Sequence, residues 1–332
     1  MTSVALLVVN YRSSALALEA IHTARAAAAR PLQVVAVDNS VDAAEAEALR
    51  GAADVVIASP ANVGYAAAIN AGRRACDADV IVVSNPDVRF AAGAIDALLG
   101  AGAAVAGPAL FWDDAHRWLL PPAELHTRGE VAGRVIASRW SAWAVRRARR
   151  RFRARLAFWQ LQRTTRARAI SGAVMAIRAK AFDQAGGFDE RFRLYFEEND
   201  FLRRVRGEIA YVPSARCRHL YNQSAAGSEA ASAEYARSEE AYLRKWGGAF
   251  IRRFEVWARP PSGALPGAAA PTQIITEASP LASFETAAGC LAEVGDVPAE
   301  VWAAYRGDVL HMRALNGDGR VLRSWTKTRI PA

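Results

Sequence analysis

The first hundred residues limit the fold most. VALLVVN (4–10), LQVVAVD (32–38), DVVIAS (54–59) and DVIVVS (79–84) are short, β-branched apolar runs separated by Ala-rich stretches of helical composition. That alternation predicts an α/β fold, with parallel strands joined by crossover helices. The runs are continuously apolar, as expected where helices cover both faces of the sheet. Ligands of such sheets bind beyond the carboxyl ends of the strands. The residues there are Asn10-Tyr11, Asp38-Asn39-Ser40, the loop from Pro60 to Tyr65, and Asn85-Pro86-Asp87.

Residues 110–168 break the rhythm with a Trp- and Arg-rich insertion, and the strand pattern resumes at AISGAVMAIR (169–178). A helix is expected from Glu197, strands at 209–213 and 215–220, and a helix over 229–246 stopped by Gly247-Gly248. These bounds predict one domain over 1–250. Residues 251–272, rich in Pro, Gly and Ala from Arg259 onward, read as a linker. The segment 273–332 reads as a small α+β appendage of unassigned role, ending in a hairpin of 309–315 and 320–326 around Asn316-Gly317-Asp318-Gly319. No run approaches the roughly 18 apolar residues of a spanning helix, and the first ten residues read as a strand, not a signal peptide. The expectation is a soluble, cytoplasmic protein. Cys76, Cys217 and Cys290 form no CxxC pattern, which argues against a thiolate metal site or a disulfide framework.

The formal net charge of +9 invites a nucleic-acid reading until the charge is located. Residues 139–168 hold eleven arginines and no acid, so the rest of the chain is slightly acidic. Val145, Ala148, Phe152, Leu156 and Trp159 recur there at spacings of three and four, which predicts an amphipathic helix. Two readings stay open: an interfacial helix on an anionic membrane surface, or a helix whose apolar stripe packs on the protein while its arginines stay solvated. A nucleic-acid partner fits the acidic candidate site poorly.

Four polar clusters carry candidate chemistry. Asp38-Asn39-Ser40 suits hydrogen bonding to a nucleobase or ribose, and equally an Asx turn. Asn62-Val63-Gly64-Tyr65, followed by small residues to Asn70, offers close backbone approach and amides. Asn85-Pro86-Asp87 places a carboxylate at a strand end, and a hard cation on a diphosphate needs only one or two protein carboxylates. Glu197, Glu198 and Asp200 crowd a helix start among Phe188, Phe192, Tyr195, Phe196 and Phe201, where burial can tune a carboxylate into a general base.

In chain order, VVNYRS, VVAVDNS, NVGYAAAINAG, VVSNPDV, SGAVMAIR, GGFDERFRLYFEENDF and RHLYNQS resemble family 2 glycosyltransferases, especially the bacterial branch that includes rhamnosyltransferases, over about residues 3–248. The resemblance implies a GT-A fold, Rossmann-like, to which the basic insertion and the appendage are added. It also implies an inverting enzyme that takes a nucleotide-diphosphate sugar with Mg²⁺ or Mn²⁺. Carried onto matching positions, Asp38 would contact the nucleoside, with Asn10, Tyr11, Asn39 and Tyr65 in the same donor-binding set. Asn62, Gly64 and Asn70 would shape the donor pocket. Asn85 and Asp87 would form the DxD-like motif, with Asp87 on the metal and His219 assisting metal or diphosphate binding. Glu198 stands where the family commonly has its catalytic Asp; a Glu reaches one methylene further, so the base is Glu198 or Glu197. GGFDERF and KWGG (245–248) suggest dTDP-rhamnose as donor. The acceptor would be a glycan or lipid-linked glycan of cell-surface polysaccharide synthesis, met in the cytoplasm or on the inner face of its membrane through 139–168. A noncatalytic nucleotide-sugar-binding or assembly protein on the same fold stays open.

Overall fold

The structure, a computed structural model, describes residues 2–220, 229–254 and 273–329. The chain begins β1 (Val4–Asn10), α1 (Ser14–Ala26), β2 (Gln33–Asp38), α2 (Ala43–Arg50), β3 (Val55–Ala58), α3 (Tyr65–Arg74) and β4 (Val80–Ser84). β5 (Val88–Phe90), α4 (Ala94–Gly100), β6 (Val105–Phe111) and β7 (Trp118–Leu119) lead to the insertion helices α5 (Arg128–Arg139) and α6 (Ser141–Trp159). There follow β8 (Thr165–Arg166), β9 (Val174–Arg178), α7 (Ala179–Gln184), α8 (Glu197–Arg204), β10 (Ile209–His219), α9 (Glu229–Trp246) and α10 (Ala249–Arg252). The last segment holds β11 (Ile274–Ser279), β12 (Ala288–Cys290), α11 (Ala299–Ala304), β13 (Val309–Asn316) and β14 (Val321–Thr328).

The continuous apolar runs are explained by burial on both faces. Leu6 and Val8 of β1 pack in one layer with Val34, Ala36 and Ile21, whereas Leu7 and Val9 pack in the other with Val35, Val37 and Ile69. The strand order β3-β2-β1-β4-β9-β6 has β1 parallel to both β2 and β4, so the chain reverses direction across the sheet between β1 and β4. β9 runs antiparallel to β4 and β6 and carries the loop before Val174 up beside Ser84. The two expected strands at 209–213 and 215–220 are one strand, β10, which pairs β6 on both sides of a register shift between Val212 and Arg216 and also pairs β5 from Cys217 to His219.

The mixed α/β fold is as expected, and the sheet goes further. β7 pairs β6 at Phe111–Leu119 and β12 at Leu119–Gly289, so the sheet continues through β12, β11, β13 and β14. Trp112, Trp118 and Leu120 of the insertion share a core with Ala288, Val301, Leu310 and Met312. The predicted hairpin is β13 and β14. Of the expected linker 251–272, the part from 255 lies outside the described residues, as do Tyr221–Ser224 of the RHLYNQS motif. Among the described residues no helix is long and apolar enough to cross a membrane. Cys76, Cys217 and Cys290 are buried and unpaired.

The apolar stripe of α6 does not present a membrane face along its length. Phe152, Leu156 and Trp159 are buried against Ile275 and Leu315 of the C-terminal strands. Trp159 donates to the Leu120 carbonyl (3.1 Å) and lies on Gly289, where an added Cβ would sit 2.3 Å from its ring. Arg155 is buried too, paired with Glu277 (2.6 Å), which also takes Arg313 (2.6 Å). The reason is physical: the insertion and the C-terminal strands each present an apolar face, and covering both removes both from water. Trp143, Arg146, Arg150 and Arg153 of α6 stay exposed.

Candidate active site

The site lies at the carboxyl ends of β1, β2 and β4. Asn10, at the end of β1, is fully buried and donates to Asp38 Oδ1 (2.8 Å) and to Glu45 Oε2 (2.9 Å), while its own oxygen accepts from Ser13. Asp38 Oδ1 also accepts from the Ser40 hydroxyl (2.6 Å). Asn10 therefore orients the Asp38 carboxylate, and its amide is spent on protein. Glu45, which the sequence reading missed, closes this network by accepting from the Ser14 amide (2.9 Å); the Asn10 hydrogen bond is the main cause of its lowered pKa. Tyr11 is half-exposed beside the network, with the Arg12 guanidinium over its ring at 5.6 Å.

The loop 62–65 is drawn against the acidic segment. Gly64 has φ +89°, and an added Cβ would meet the Arg193 carbonyl oxygen at 2.7 Å, so only glycine serves. Asn62 Oδ1 accepts from the Gly64 amide (3.0 Å), Asn39 donates to the Gly64 carbonyl (3.1 Å), and the Tyr65 amide donates to Arg193 O (2.6 Å). Arg193 also holds the Asn62 carbonyl (2.6 Å). Asn70 acts further back: its amide bridges the Phe188 carbonyl and Glu190, and its oxygen accepts from the Phe188 N–H, each at 2.9 Å. It ties α3 to the segment that leads into the acidic turn.

Asp87 and His219 meet through a ladder. Val88 of β5 pairs His219 of β10, and the Leu220 amide donates to Asp87 O (3.0 Å), which sets the Asp87 carboxylate 3.3 Å from His219 Nε2. Burial pushes the Asp87 carboxyl up, but the charge and hydrogen bond of His219, with Arg89 beyond, hold it below its ordinary value. One carboxylate and one imidazole fit a cation that takes its remaining ligands from a diphosphate. Among the described residues no group of three or more His, Cys, Asp or Glu could hold a metal alone. Asn85 is partly exposed, its N–H donating to the Ala173 carbonyl (2.9 Å), which sets the Ser171-Gly172-Ala173 loop beside the Asn85-Pro86-Asp87 turn.

Tyr195 and Phe196 both adopt left-handed backbone, φ +69° and +67°, a conformation that costs bulky residues energy. Packing holds it: Phe196 stacks against Tyr242 and His126 at 5.2 and 4.9 Å. The turn aims Glu197 and Glu198 inward. Glu197 is buried with no partner for Oε2; Glu198 is partly exposed, lies over Gly172 and accepts from Asn199 (2.9 Å). Burial raises both carboxyls, and the Glu198 charge raises Glu197 further. The Tyr65 hydroxyl, buried and without a partner, is raised by burial and then by the charges of Glu197, Glu198 and Asp87.

Asp200 belongs elsewhere. It is fully buried and takes Arg204 (2.8 Å), Lys245 (2.6 Å) and the Trp246 indole (2.9 Å), clamping α8 to α9. The KWGG segment is thus a structural staple behind the acidic turn; Lys245 and Trp246 are spent on Asp200 and Asp189.

Residues 2–239 match the model of the glycosyltransferase-like family 2. Two strains of Mycobacterium tuberculosis carry a relative named N-acetylglucosaminyl-diphospho-decaprenol L-rhamnosyltransferase, 30% identical over 242 residues, covering 64% of this chain and 74% of the relative. Among solved structures, the Pyrobaculum calidifontis mannosyltransferase PcManGT in complex with GDP-Man and Mn²⁺ aligns at 16% identity and TM-score 0.46, over 78% of this chain and 66% of that one. GalNAc-T7 with UDP, GalNAc and Mn²⁺ aligns at 13% identity and TM-score 0.49, over 74% of this chain and 49% of that one. With the family model spanning most of the chain, the protein belongs to the family 2 glycosyltransferases and is a sugar transferase.

Proposed function

We propose that the protein is an inverting, metal-dependent enzyme that moves rhamnose from dTDP-rhamnose to a hydroxyl of a lipid-linked glycan in cell-surface polysaccharide synthesis. The observation that carries this reading is that Glu198 packs over Gly172 while the neighbouring Ala173 carbonyl takes the Asn85 N–H (2.9 Å), so that one loop joins the base-type acid to the turn that carries Asp87. The buried Tyr65 hydroxyl and Glu197 Oε2, both without partners, support a site that awaits polar groups of a substrate. Rhamnose and the lipid-linked acceptor are taken from what the mycobacterial relatives are named for. KWGG, whose Lys245 and Trp246 are spent inside the protein, gives them no support.

In this reading Asp38, oriented by Asn10, binds the nucleoside beside Tyr11, and Asn39 with the 62–65 loop borders the donor. Glu198 takes the acceptor hydroxyl's proton as that oxygen bonds to the anomeric carbon. The bond from that carbon to the diphosphate breaks on the opposite face, which inverts the centre. Asp87 and His219 would hold Mg²⁺ or Mn²⁺, which when bound offsets the charge gathering on the departing diphosphate. A lipid-linked acceptor calls for work at a membrane surface. We assign that contact to the exposed Trp143, Arg146, Arg150 and Arg153 of α6 within 139–168, on the cytoplasmic face.

The test is transfer from dTDP-rhamnose to an N-acetylglucosaminyl-diphospho-farnesyl acceptor with Mn²⁺ or Mg²⁺, the product's anomeric configuration read by NMR. Transfer only from another nucleotide sugar would replace the donor; a retained configuration would remove Glu198 from its role.

A further inference from the structure

α5 and α6 face each other with unequal surfaces. α5 offers Gly129, Ala132, Gly133 and Ile136, residues three and four apart and uncharged, the first three nearly without side chains. α6 answers with Trp143, Arg146, Arg150 and Arg153 at the same spacing, flanked by Arg149. Between them runs a groove of about 810 Å³ whose lining contains no carboxylate. It is open at its floor: a Cβ on Gly133 would meet only Arg147 Nε, at 3.9 Å. Glu130, at its edge, is shared by Arg147 (3.4 Å) and Arg150 (3.5 Å). Arg146, Arg149 and Arg153 have no carboxylate partner among the described residues, and Arg149 Nε is buried without a hydrogen bond. Like charges at this spacing repel, so the helix pair by itself gains nothing from them.

Beside the arginines are exposed aromatic rings. Trp140 and Trp143 are 58% and 52% exposed, and Arg139 ties α5 to the Phe254 carbonyl (3.2 Å), next to α10, where Phe250 and Phe254 stand out from the surface. A free phosphate needs no aromatic rim and no apolar floor. A lipid with a multiply charged phosphate head uses both.

Beyond the groove, Arg147 also lines a second cleft with His126, Val131, Arg134 and Tyr235. The Tyr235 ring packs on Phe196 at 5.2 Å, and its hydroxyl is pushed up to about 12 by burial, with Glu239 and Glu198 adding to the rise. Arg147 thus joins the groove to the cleft of Tyr235, whose ring packs on Phe196, the residue at the head of the helix that bears Glu197 and Glu198.

We propose that the α5–α6 groove binds the diphosphate of the lipid-linked acceptor, with the lipid tail toward Trp140 and Trp143 and the sugar toward Tyr235 and Glu198. This deepens the acceptor reading and rests on it for the direction of the sugar.

Farnesyl diphosphate is the probe, its binding to the full chain followed by tryptophan fluorescence and calorimetry. It should bind at least about tenfold more tightly than inorganic diphosphate or farnesol, a difference of about 1.4 kcal/mol. Replacing Arg146, Arg149, Arg150 and Arg153 with Gln should cost tenfold or more, and so should Gly133→Leu, which fills the groove, leaves every arginine in place and favours helix. Both variants should keep the Mn²⁺-dependent thermal shift with the nucleotide sugar. Equal affinity for inorganic diphosphate would overturn the proposal in favour of a simple anion patch. Undiminished binding in either variant would overturn it as well, as would loss of phosphatidylglycerol-vesicle binding alone while farnesyl diphosphate still binds. Failure of the wild-type chain to bind any nucleotide sugar would instead sink the donor reading and leave the groove result standing.

Discussion

Replacing Glu197 with Gln should make the protein more stable at neutral pH while leaving it unchanged in acid. Burial, and then the Glu198 charge, raise the Glu197 carboxyl well above its ordinary value of 4.5. The folded state therefore holds a proton that the unfolded chain releases. Stability is full below the unfolded value, falls as pH climbs from there to the raised folded value, and stays lower beyond it. Oε2 has no partner, and leaving a buried polar or charged group unsatisfied costs about 1–3 kcal/mol. Gln keeps the shape and part of the polarity but drops the charge, so about 1–2 kcal/mol should return, or roughly 1.5–3 °C in Tm for a chain of this size. Scanning fluorimetry of both proteins from pH 4.5 to 8.5 measures it. The Tm values should coincide at pH 4.5 and diverge as pH rises. A variant no more stable at pH 8, or a gap that does not change with pH, would refute the reasoning.

Three further outcomes are expected. Asp87→Ala should abolish Mn²⁺-dependent nucleotide-sugar binding in calorimetry while the melting curve stays cooperative, because Asp87 sits in a turn after β4 and not in the apolar core; unchanged binding would remove it from the metal site. Glu198→Gln should keep donor affinity and lower turnover by about 10²-fold or more. Because burial raises the Glu198 carboxyl and a base must be deprotonated, wild-type kcat/KM should fall as pH drops through that raised value, and loss of turnover in Glu197→Gln instead would move the base by one residue. Gly289→Ala should destabilise by about 1–3 kcal/mol in urea unfolding, since the new methyl meets the Trp159 ring at 2.3 Å; no loss would mean that the α6 contact with β12 is loose.

Much of the fold was legible because it rests on local pattern. The runs at 4–10, 32–38, 54–59 and 79–84 became β1 to β4 within a residue or so, and the acidic helix begins at Glu197 as read. Residues that act through distant partners were not legible. Nothing near Glu45 in sequence points to Asn10, and Asp200 looked like a third acid of the site until Lys245 and Trp246, more than forty residues on, were seen to claim it. The spacing of Phe152, Leu156 and Trp159 revealed a buried face but not what buries it, because periodicity carries no information about the partner. The Asp87–His219 contact depends on the β5–β10 register, which a one-residue slip would undo.

The two residues of β7 have a bearing on how such a chain can be cut or recombined. With Leu119 pairing both Phe111 and Gly289, and with Phe152 and Trp159 lying under the C-terminal strands, the insertion and the C-terminal segment form one inheritable module although more than a hundred residues separate them. Ending the chain near residue 250 would strand a sheet edge and bare the Trp112, Trp118 and Trp159 surface, an invitation to self-association. A minimal catalytic unit would have to keep both, because His126 and Val131 of the insertion also pack with Phe196 at the acidic turn.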